Sequence, residues 1–348
     1  MNRDVDTADM PALDTARVTD WLLRELPAAT APITFRHIAG GRSNLTFQVS
    51  DASGHCWALR RPPTGGLLDT AHDMRREWRF LTALAPTAVP VPPPVAFCAD
   101  PEITGSEFYV MDFVVGIVLA DAKEGRHMPV DTRIRVAEST ADALAALHSE
   151  DPSARGLDDL HRPGNFVERQ LRRWHRQAHS SAIDDLRLLD EVFESLISRI
   201  PRGQRSIVHG DFRPGNIVYT PEGTVAAVLD WELAALGDPL TDLGWLLATW
   251  RQKGDTADPI TPGPSDGDGY PGRDLLIRRY AERSGRDLSD LGFSVAFARW
   301  RAACILAGVH TRYRTGVMGD ATRDGAEELV AFHHQLEAAK ALIASDGR

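Results

Sequence analysis

Cysteine is scarce in this chain, and the most familiar nucleotide-binding loop is missing. The 348 residues include three cysteines, Cys56, Cys98 and Cys304, which are widely spaced and form no CxxC pair. This spacing argues against a disulfide framework or a structural zinc site and fits a reducing compartment. No Walker GxxxxGK[ST] motif is present. A nucleotide, if one is used, must therefore be held in another way.

Excess basic charge and long apolar runs are also lacking. The 39 Lys and Arg residues are outnumbered by 49 Asp and Glu, for a formal net charge of -10. This balance disfavours nonspecific binding to nucleic acid. No uninterrupted apolar run of about 18 residues is present to span a membrane. Residues 1–14 are polar and acidic, unlike a signal peptide, and are predicted to be disordered. We expect a cytoplasmic protein without a nucleic-acid or membrane partner; its oligomeric state stays open.

In several segments of the first third of the chain, apolar and polar residues alternate with a period of two, as in β-strands. A helix is predicted over residues 15–26. Three alternating runs follow and predict an antiparallel sheet, at residues 33–38, 45–49 and 56–60. An amphipathic helix over 73–84 carries Glu77, residues 89–94 form a proline-rich extended connector, and residues 108–113 predict a last strand.

The remaining sequence is mainly helical. Apolar residues recur at helical spacing over residues 131–148, 166–178, 183–200, 240–250, 273–283, 291–309 and 327–344. The fold class is therefore α+β, with an N-terminal lobe over 15–112, formed by a sheet and a helix, and a helical C-terminal lobe over 113–348. With 43% hydrophobic residues the chain has enough apolar material to pack both lobes.

A polar stretch from His209 to Glu232 concentrates the candidate chemistry. Asp211 is followed by Asn216, and Asp230 ends a second β-rich run after a Pro-Glu-Gly turn. The two runs predict a hairpin that holds these three side chains close together. Their oxygen atoms suit magnesium, which points to phosphoryl transfer. Asp and Asn are also ordinary turn residues, but the long joint pattern HxDxxxxN followed by Asp-Trp favours the functional interpretation.

Together with the order of elements, this pattern resembles the protein-kinase-like superfamily, specifically the aminoglycoside phosphotransferases and choline kinases. The resemblance implies a two-lobed fold and transfer of the γ-phosphoryl of ATP, or GTP, with Mg²⁺ to a small-molecule hydroxyl acceptor. It also implies that Asp211 deprotonates the acceptor hydroxyl, that Asn216 and Asp230 hold magnesium, and that His209 braces the loop. Arg213, in the same loop, is counted with the catalytic residues.

In the N-terminal lobe the resemblance assigns the nucleotide contacts. Arg60 stands where the family has a phosphate-binding lysine, and Glu77 would pair with it. This pair could instead be a surface ion pair of small worth. Main-chain groups of Asp112 and Val114 fall at the family's adenine-binding hinge. The connector between the first two strands is either an ordinary turn or a phosphate-binding loop, and its candidate residues are Gly40, Gly41, Ser43 and Asn44.

Two further stretches of sequence resemble one particular branch of this family. Residues 162–166, Arg-Pro-Gly-Asn-Phe, and residues 229–239 look like the kinase-like domains associated with acyl-CoA dehydrogenases. That likeness implies an acceptor such as a hydroxyacyl-CoA. A protein kinase would have a long activation segment after Asp230, but here a helix carrying Asp242 follows almost at once. Asp242 either caps that helix or braces the catalytic loop.

The helix predicted over 166–178 carries two further patterns. Four arginines recur at helical spacing, and they either meet the phosphates of a coenzyme A acceptor or form a solvated face: Arg169, Arg172, Arg173 and Arg176. His175 and His179 could share a zinc ion, but no further ligand lies in this segment. A solvent-facing pair is therefore the preferred interpretation.

Two other functions stay open beside the phosphotransferase. Arginine at position 60 in place of lysine motivates a nucleotide-binding pseudokinase that regulates a partner. A metal-dependent hydrolase could use the same cluster of Asp residues.

Overall fold

The computed structural model describes residues 13–38, 44–63, 73–255, 263–316 and 325–345. The chain divides into two compact units. The first runs to Val115 and regains Ala227–Glu232; the second consists of Gly116–Ala226 and the residues from Leu233 onward. The boundary predicted after residue 112 thus lies after Val115, and the return of Ala227–Glu232 to the first unit was not predicted. The main-chain N–H of Val228 donates to Pro90 O at 2.7 Å, and this bond connects the segment to the rest of the first unit.

The first unit is built on one antiparallel sheet. Its elements are α1 Thr15–Glu25, β1 Thr34–His37, β2 Leu45–Ser50, β3 Cys56–Arg61, α2 Met74–Leu84, β4 Pro94–Cys98, α3 Pro101–Thr104 and β5 Phe108–Asp112. The strand order is β1-β2-β3-β5-β4, so β4 is an edge strand. Strand β4 was not predicted. Its first residue, Pro94, ends the predicted proline-rich connector, and proline is tolerated at the beginning of an edge strand.

The local sequence explains why these elements form. The carboxylate of Asp14 accepts the N–H of Arg17 and begins α1, and Asp73 does the same for α2 through Arg76 N–H. Apolar side chains of α1 then pack on the inner face of the sheet, in a core that includes Val18, Trp21, Leu22, Phe35, Phe47, Trp57 and Leu59. Leu13 is buried in the same core, so the predicted disorder does not extend to residues 13 and 14; residues 1–12 lie outside the described residues.

The second unit is mainly helical. Its elements are β6 Ile117–Val118, α4 Ala122–His127, α5 Arg133–Ser149, α6 Phe166–His179, α7 Arg187–Ile197, β7 Ser206–Val208, β8 Ile217–Tyr219, β9 Val225–Val228, β10 Ala235–Gly237, α8 Leu240–Thr249, α9 Arg273–Ser284, α10 Leu291–Arg314 and α11 Ala326–Ser345. The last two residues of β9 belong to the segment assigned to the first unit. The hairpin predicted over this region is present as β8 and β9, with β6 on its other side. Strand β10, which was not predicted, pairs antiparallel with β7.

Helix α10 is the central packing element of the second unit. It is buried along most of its length and packs against α6, α7, α8 and α11. Gly244 on α8 permits a close approach, because a Cβ there would lie 2.5 Å from Ser294 O. By length and composition α10 could also span a membrane, with a mean hydropathy of 1.2. However, 61% of that window is buried inside the protein, as in the core helix of a globular domain.

Candidate active site

In the first unit, Arg60 lies at the centre of a cluster of acidic side chains. The alternation of β3 directs Trp57 and Leu59 into the core and Arg60 to the opposite face. Its Nε donates to Glu77 Oε2 at 2.9 Å, which is the ion pair that the sequence predicts. Its Nη2 contacts Asp230 Oδ1 and lies 3.7 Å from Glu232 Oε2. Arg60 therefore faces three carboxylates.

The charge states in this cluster depend on one another. Burial acts to lower the pKa of Arg60, but the nearby charges, above all Glu77, outweigh it and raise this pKa above its ordinary value. Burial raises the pKa of Glu77, against the opposing influence of Arg60. Tyr109 donates its hydroxyl to Glu77 Oε2 at 2.9 Å. Arg60 thus stays protonated, and the buried Glu77 has both a cation and a hydrogen-bond donor as partners.

Asn44 joins the same cluster from the end of the connector between β1 and β2. Its Nδ2 donates to Glu77 Oε1 at 2.8 Å and to Glu232 Oε2 at 3.4 Å. Its Oδ1 is buried and has no hydrogen-bond partner among the described residues. The other candidates in this connector, Gly40, Gly41 and Ser43, lie outside the described residues. The predicted phosphate-binding role of the connector therefore stays a prediction.

Asp230 has an unusual backbone conformation. Its φ is +68°, in the left-handed region that favours glycine. The indole N–H of Trp231 donates to Val228 O at 2.9 Å, and Arg76 Nη1 donates to Glu232 O at 3.4 Å. These bonds hold the residues on both sides of Asp230. A non-glycine residue kept in this conformation is a common feature of functional sites.

The predicted hinge residues lie at and after the end of β5. The N–H groups of Asp112 and Phe113 donate to Pro93 O and Cys56 O at 2.8 and 3.1 Å. Val114 follows with a half-buried side chain. Asp112 and Phe113 are therefore held by main-chain bonds that do not depend on their side chains, and the predicted base-binding role of Asp112 and Val114 stays a prediction.

In the second unit, the predicted catalytic loop His209-Gly210-Asp211 follows β7 and is held by Asp242 from α8. The carboxylate of Asp242 accepts the main-chain N–H of His209 at 2.6 Å and of Gly210 at 2.8 Å. Asp242 thus braces the loop, which is one of the two roles left open by the sequence. The other role falls to Asp238, whose Oδ1 accepts Leu240 N–H at the start of α8. His209 Nδ1 accepts the N–H of Asp211 at 3.2 Å, so this side chain also supports the loop.

Asp211 is the best-anchored carboxylate of the loop. Its Oδ1 accepts the indole N–H of Trp245 at 2.6 Å. Its Oδ2 accepts from Asn216 Nδ2 at 2.8 Å and faces Arg213 Nε at 3.3 Å. Asn216 Nδ2 also donates to the main-chain O of Asp211 at 2.9 Å. The amide nitrogen of Asn216 is therefore committed to Asp211, and its Oδ1 is the atom suited to bind a cation.

Behind Asp242 lies a buried polar cluster. His148 Nδ1 is 2.7 Å from the hydroxyl of Tyr280, and its Nε2 is 3.4 Å from Asp242 Oδ2. Burial lowers the pKa of His148 despite the nearby Asp242. Burial acts to raise the pKa of Asp242, but its bonds to His148 and His209 hold it below the ordinary value. Asp242 is therefore a fixed anion that receives the N–H groups of the loop.

Arg301 is a site residue that the sequence did not reveal. It lies on α10, is 8% exposed, and its guanidinium stacks over the rings of Trp245 and Trp174 at 4.4 and 5.2 Å. Its Nε has no hydrogen-bond partner in the described part of the chain. Burial lowers the pKa of Arg301, while Asp211 and Asp242 act to raise it. In the sequence this arginine is one of several on a long apolar helix, with no motif around it.

The four arginines that recur at helical spacing along α6 do not share one environment. Arg169 donates to the carbonyls of Pro163 and Gly164 at 2.8 and 2.6 Å, and Arg172 pairs with Glu168 at 2.9 Å. Arg173 lies over the ring of Trp174 at 5.2 Å, on the same ring that Arg301 covers. Three of the four arginines therefore have different local partners, and Arg173 shares the Trp174 ring with Arg301.

The chain resembles known proteins over most of its length. Residues 34–274 match the family model described as "Phosphotransferase enzyme family". Mouse acyl-CoA dehydrogenase family member 10 is 33% identical over 315 residues, covering 88% of this chain and 29% of the relative. Human acyl-CoA dehydrogenase family member 11 is 33% identical over 294 residues, covering 82% and 37%. The chain thus spans well under half the length of these relatives.

Solved structures share its fold. A Ralstonia eutropha protein described as a candidate aminoglycoside phosphotransferase superposes with a TM-score of 0.77 at 31% identity, covering 96% of this chain and 98% of that one. Choline kinase from Cryptosporidium parvum gives 0.66 at 13% identity, covering 95% and 97%. The GDP complex of an aminoglycoside 2'-phosphotransferase gives 0.59 at 14%, covering 93% and 99%. These likenesses confirm the kinase-like α+β fold class and the family resemblance that the sequence indicated.

Proposed function

Because the chain belongs to the phosphotransferase enzyme family, we propose that it transfers the γ-phosphoryl group of ATP, or of GTP, to a hydroxyl group of a small molecule. The observation that carries this proposal is the anchoring of Asp211. Both of its carboxylate oxygens are held, by Trp245 on one side and by Asn216 on the other. A carboxylate fixed in this way can receive a proton from an acceptor hydroxyl in one defined direction.

The residues of the second unit account for the proton transfer. Asp211 accepts the proton of the acceptor hydroxyl as the hydroxyl oxygen bonds to the γ-phosphorus. The bond from that phosphorus to the bridging oxygen breaks, and the nucleoside diphosphate leaves with the electron pair. Trp245 orients Asp211, while Asp242 and His209 keep its loop in place. Arg213, at 3.3 Å from Asp211 Oδ2, adds positive charge where phosphoryl oxygens would lie.

Magnesium is the cation that we propose for this reaction, with Asn216 and Asp230 as its protein ligands. Both offer the hard oxygen atoms that this ion prefers. The fit is supported by Asn216, whose nitrogen is bound to Asp211 and whose Oδ1 stays available. When bound, the ion neutralises phosphate charge and aligns the terminal phosphoryl group.

Arg60 and the connector before β2 are the proposed phosphate contacts. Arg60 keeps its positive charge and can contact two phosphate oxygens at once, with Glu77 fixing its orientation. Asn44 and the main chain of Gly40, Gly41 and Ser43 are the other contacts, and the main chain of Asp112 and Val114 is assigned to the base. The GDP-bound fold neighbour supports a nucleotide in general.

For the acceptor we propose an anionic molecule, specifically a hydroxyacyl-CoA. Arg301 stacks on Trp245, the residue that also holds Asp211, so a buried cation lies one ring away from the proposed base. Arg173 covers the same Trp174 ring as Arg301. Polycationic aminoglycosides would require carboxylates at such positions. The similarity to acyl-CoA dehydrogenase family members 10 and 11 adds support for an acyl-CoA acceptor.

The proposal is tested by turnover with a panel of acceptors. Purified protein, Mg²⁺ and ATP or GTP are incubated with hydroxyacyl-CoAs, aminoglycosides and amino alcohols, and phosphorylated products are identified by mass spectrometry. We expect product with a hydroxyacyl-CoA. Arg301→Gln should raise KM for that acceptor by about tenfold, as expected for a lost charged contact, with little change in KM for ATP. Product from an aminoglycoside alone would overturn the acceptor assignment but keep the phosphotransferase.

A pseudokinase is the second candidate, and one observation favours it. Arg60 already faces Glu77, Asp230 and Glu232, so a nucleotide would have to compete with these carboxylates for its guanidinium. A pseudokinase would show a higher melting temperature with ATP and no phosphorylated product from any acceptor. Hydrolysis of an acceptor without ATP, lost in Asp230→Ala, would instead indicate a metal-dependent hydrolase.

The cellular setting belongs to the same proposal. We propose a cytoplasmic enzyme whose partner is its small-molecule acceptor, without nucleic acid or membrane. The net charge of -10 and the unpaired cysteines Cys56, Cys98 and Cys304 support this setting.

A further inference from the structure

Three side chains of α6 and α7 meet outside the candidate active site. His175 Nε2 lies 2.7 Å from Asp190 Oδ1, and His179 Nε2 lies 2.8 Å from the same oxygen. The two imidazole centroids are 4.4 Å apart. Asp190 is the third ligand that the sequence alone did not associate with the histidine pair. It follows His179 by eleven residues and lies on the next helix.

The positions of these ligands are set by the helices that carry them. Residues four apart on α6 lie on one face, so both imidazoles point toward α7. The His175 ring stacks on Phe193 of α7, with centroids 4.1 Å apart and planes 21° apart. Phe193 in turn belongs to the buried core that joins α6, α7 and α10. The two helices that carry the ligands therefore pack against the same buried core.

We propose that His175, His179 and Asp190 form a zinc-binding site that links α6 to α7. Two imidazole nitrogens and one carboxylate oxygen are ligands that zinc prefers, and the ligand atoms lie within 4.8 Å of one another. Zinc bonds of about 2.0–2.2 Å in a tetrahedral site place ligand atoms roughly 3.4 Å apart. The present Nε2 to Oδ1 distances of 2.7 and 2.8 Å need only small side-chain rotations to reach this spacing.

Exposure and charge agree with such a site. The side chains of His175, His179 and Asp190 are 26%, 42% and 43% exposed, so an ion can enter from solvent and keep a water molecule as fourth ligand. Burial acts to raise the pKa of Asp190, but the bonds from His179 and His175 outweigh it and hold this pKa below its ordinary value. Asp190 offers a carboxylate oxygen, which is a ligand type that zinc accepts beside imidazole nitrogen.

The direct test is zinc binding to the untagged full chain after treatment with a chelator. Titration calorimetry and metal analysis should find one zinc per chain, with Kd of about 1 μM or lower and no competition from millimolar Mg²⁺. His179→Gln and Asp190→Asn should each weaken binding by about tenfold or more. A zinc concentration of about 1,000 times the wild-type Kd should raise the Tm of the wild type by about 5 °C and raise that of both variants by less.

A matched control is available in the same unit. His127 pairs with Glu124 at 3.3 Å on α4, where no third ligand is found among the described residues. His127→Gln should therefore bind zinc as the wild type does. Zinc binding by His179→Gln with the same Kd as the wild type, or no binding by wild type at micromolar zinc, would overturn the proposal and leave a hydrogen-bonded helix pair. Phosphotransfer by the zinc-site variants is measured separately, so this result and the proposed function are judged independently.

Discussion

The indole N–H of Trp245 donates a hydrogen bond to Oδ1 of Asp211 at 2.6 Å. The donor lies on α8, one turn after Asp242, the residue that receives the main-chain N–H groups of the catalytic loop. One short helix therefore fixes both the loop and the carboxylate that the loop presents. Because α8 packs on α10 through Gly244, the position of Asp211 depends on the helical core.

Trp245→Phe should lower kcat by about 10- to 100-fold, because a hydrogen bond to a charged group is worth roughly 1.5–3 kcal/mol. Phenylalanine keeps an aromatic ring under Arg301, and Trp245 is not among the proposed nucleotide contacts, so KM for ATP should change little. Steady-state kinetics give both parameters. Trp250→Phe is the matched control, since its indole N–H donates to Pro271 O instead. Equal losses of kcat in the two variants would show that Trp245 acts only through stability.

Gly210→Ala should strongly destabilise the second unit. Gly210 has φ +83°, and a Cβ there would lie 2.6 Å from Leu233 O. Gly156 also has a positive φ, +66°, but its Cβ would meet nothing within 4 Å. Gly156→Ala should therefore cost about 1 kcal/mol from backbone strain alone, and Gly210→Ala at least about 2 kcal/mol more from the clash. Urea unfolding measures both; similar losses would contradict the close approach.

Two substitutions of Asp230 separate the effect of its backbone conformation on stability from the effect of its carboxylate on phosphotransfer. Asp230→Gly and Asp230→Ala both remove the carboxylate, but only alanine keeps a Cβ at φ +68°. The glycine variant should be more stable than the alanine variant by about 1 kcal/mol in denaturant unfolding. Both should lose phosphotransfer, because the carboxylate is the proposed cation ligand. Equal stability would mean that the backbone relaxes when the side chain is shortened.

His148 should make the free energy of unfolding depend on pH. Burial lowers the pKa of His148 in the folded protein. At a pH between the folded pKa and the ordinary pKa, His148 therefore carries a proton in the unfolded chain but not in the folded one. The contribution of His148 to the free energy of unfolding is therefore at its full value above about pH 6.5 and decreases as the pH is lowered. Unfolding of wild type and His148→Gln at several pH values tests this. The variant should show a smaller loss between pH 7 and about pH 5.5; parallel curves would contradict it.

The part of the site that was predicted from sequence is the part that is local in the chain. Asp211 and Asn216 lie five residues apart, so the predicted hairpin brought them together, and the family resemblance added His209. The pairing of Arg60 with Glu77 was predicted from the family resemblance, and the structure contains this ion pair. Helices with strong apolar periodicity, such as α5 and α6, were also predicted close to their observed bounds.

The rest depends on contacts between distant segments. Arg301 looks like any arginine of a long helix until the two tryptophan rings around it are known. Asp190 lies on a different helix from the two histidines it contacts, and periodicity says nothing about which faces of two helices meet. Strand β10 is three residues long, too short for an alternating pattern, and exists because β7 pairs with it.

The most direct test of the central claim is phosphoryl transfer by wild type and Asp211→Asn, followed with γ-labelled ATP, Mg²⁺ and a hydroxyacyl-CoA. Asparagine keeps the size of the side chain and can still accept the hydrogen bond from Trp245, but it cannot take the proton. We predict labelled acceptor with the wild type, and a kcat lower by about 10² or more in the variant, with ATP binding retained. Transfer at the full rate by Asp211→Asn would contradict the assignment of this residue as the base.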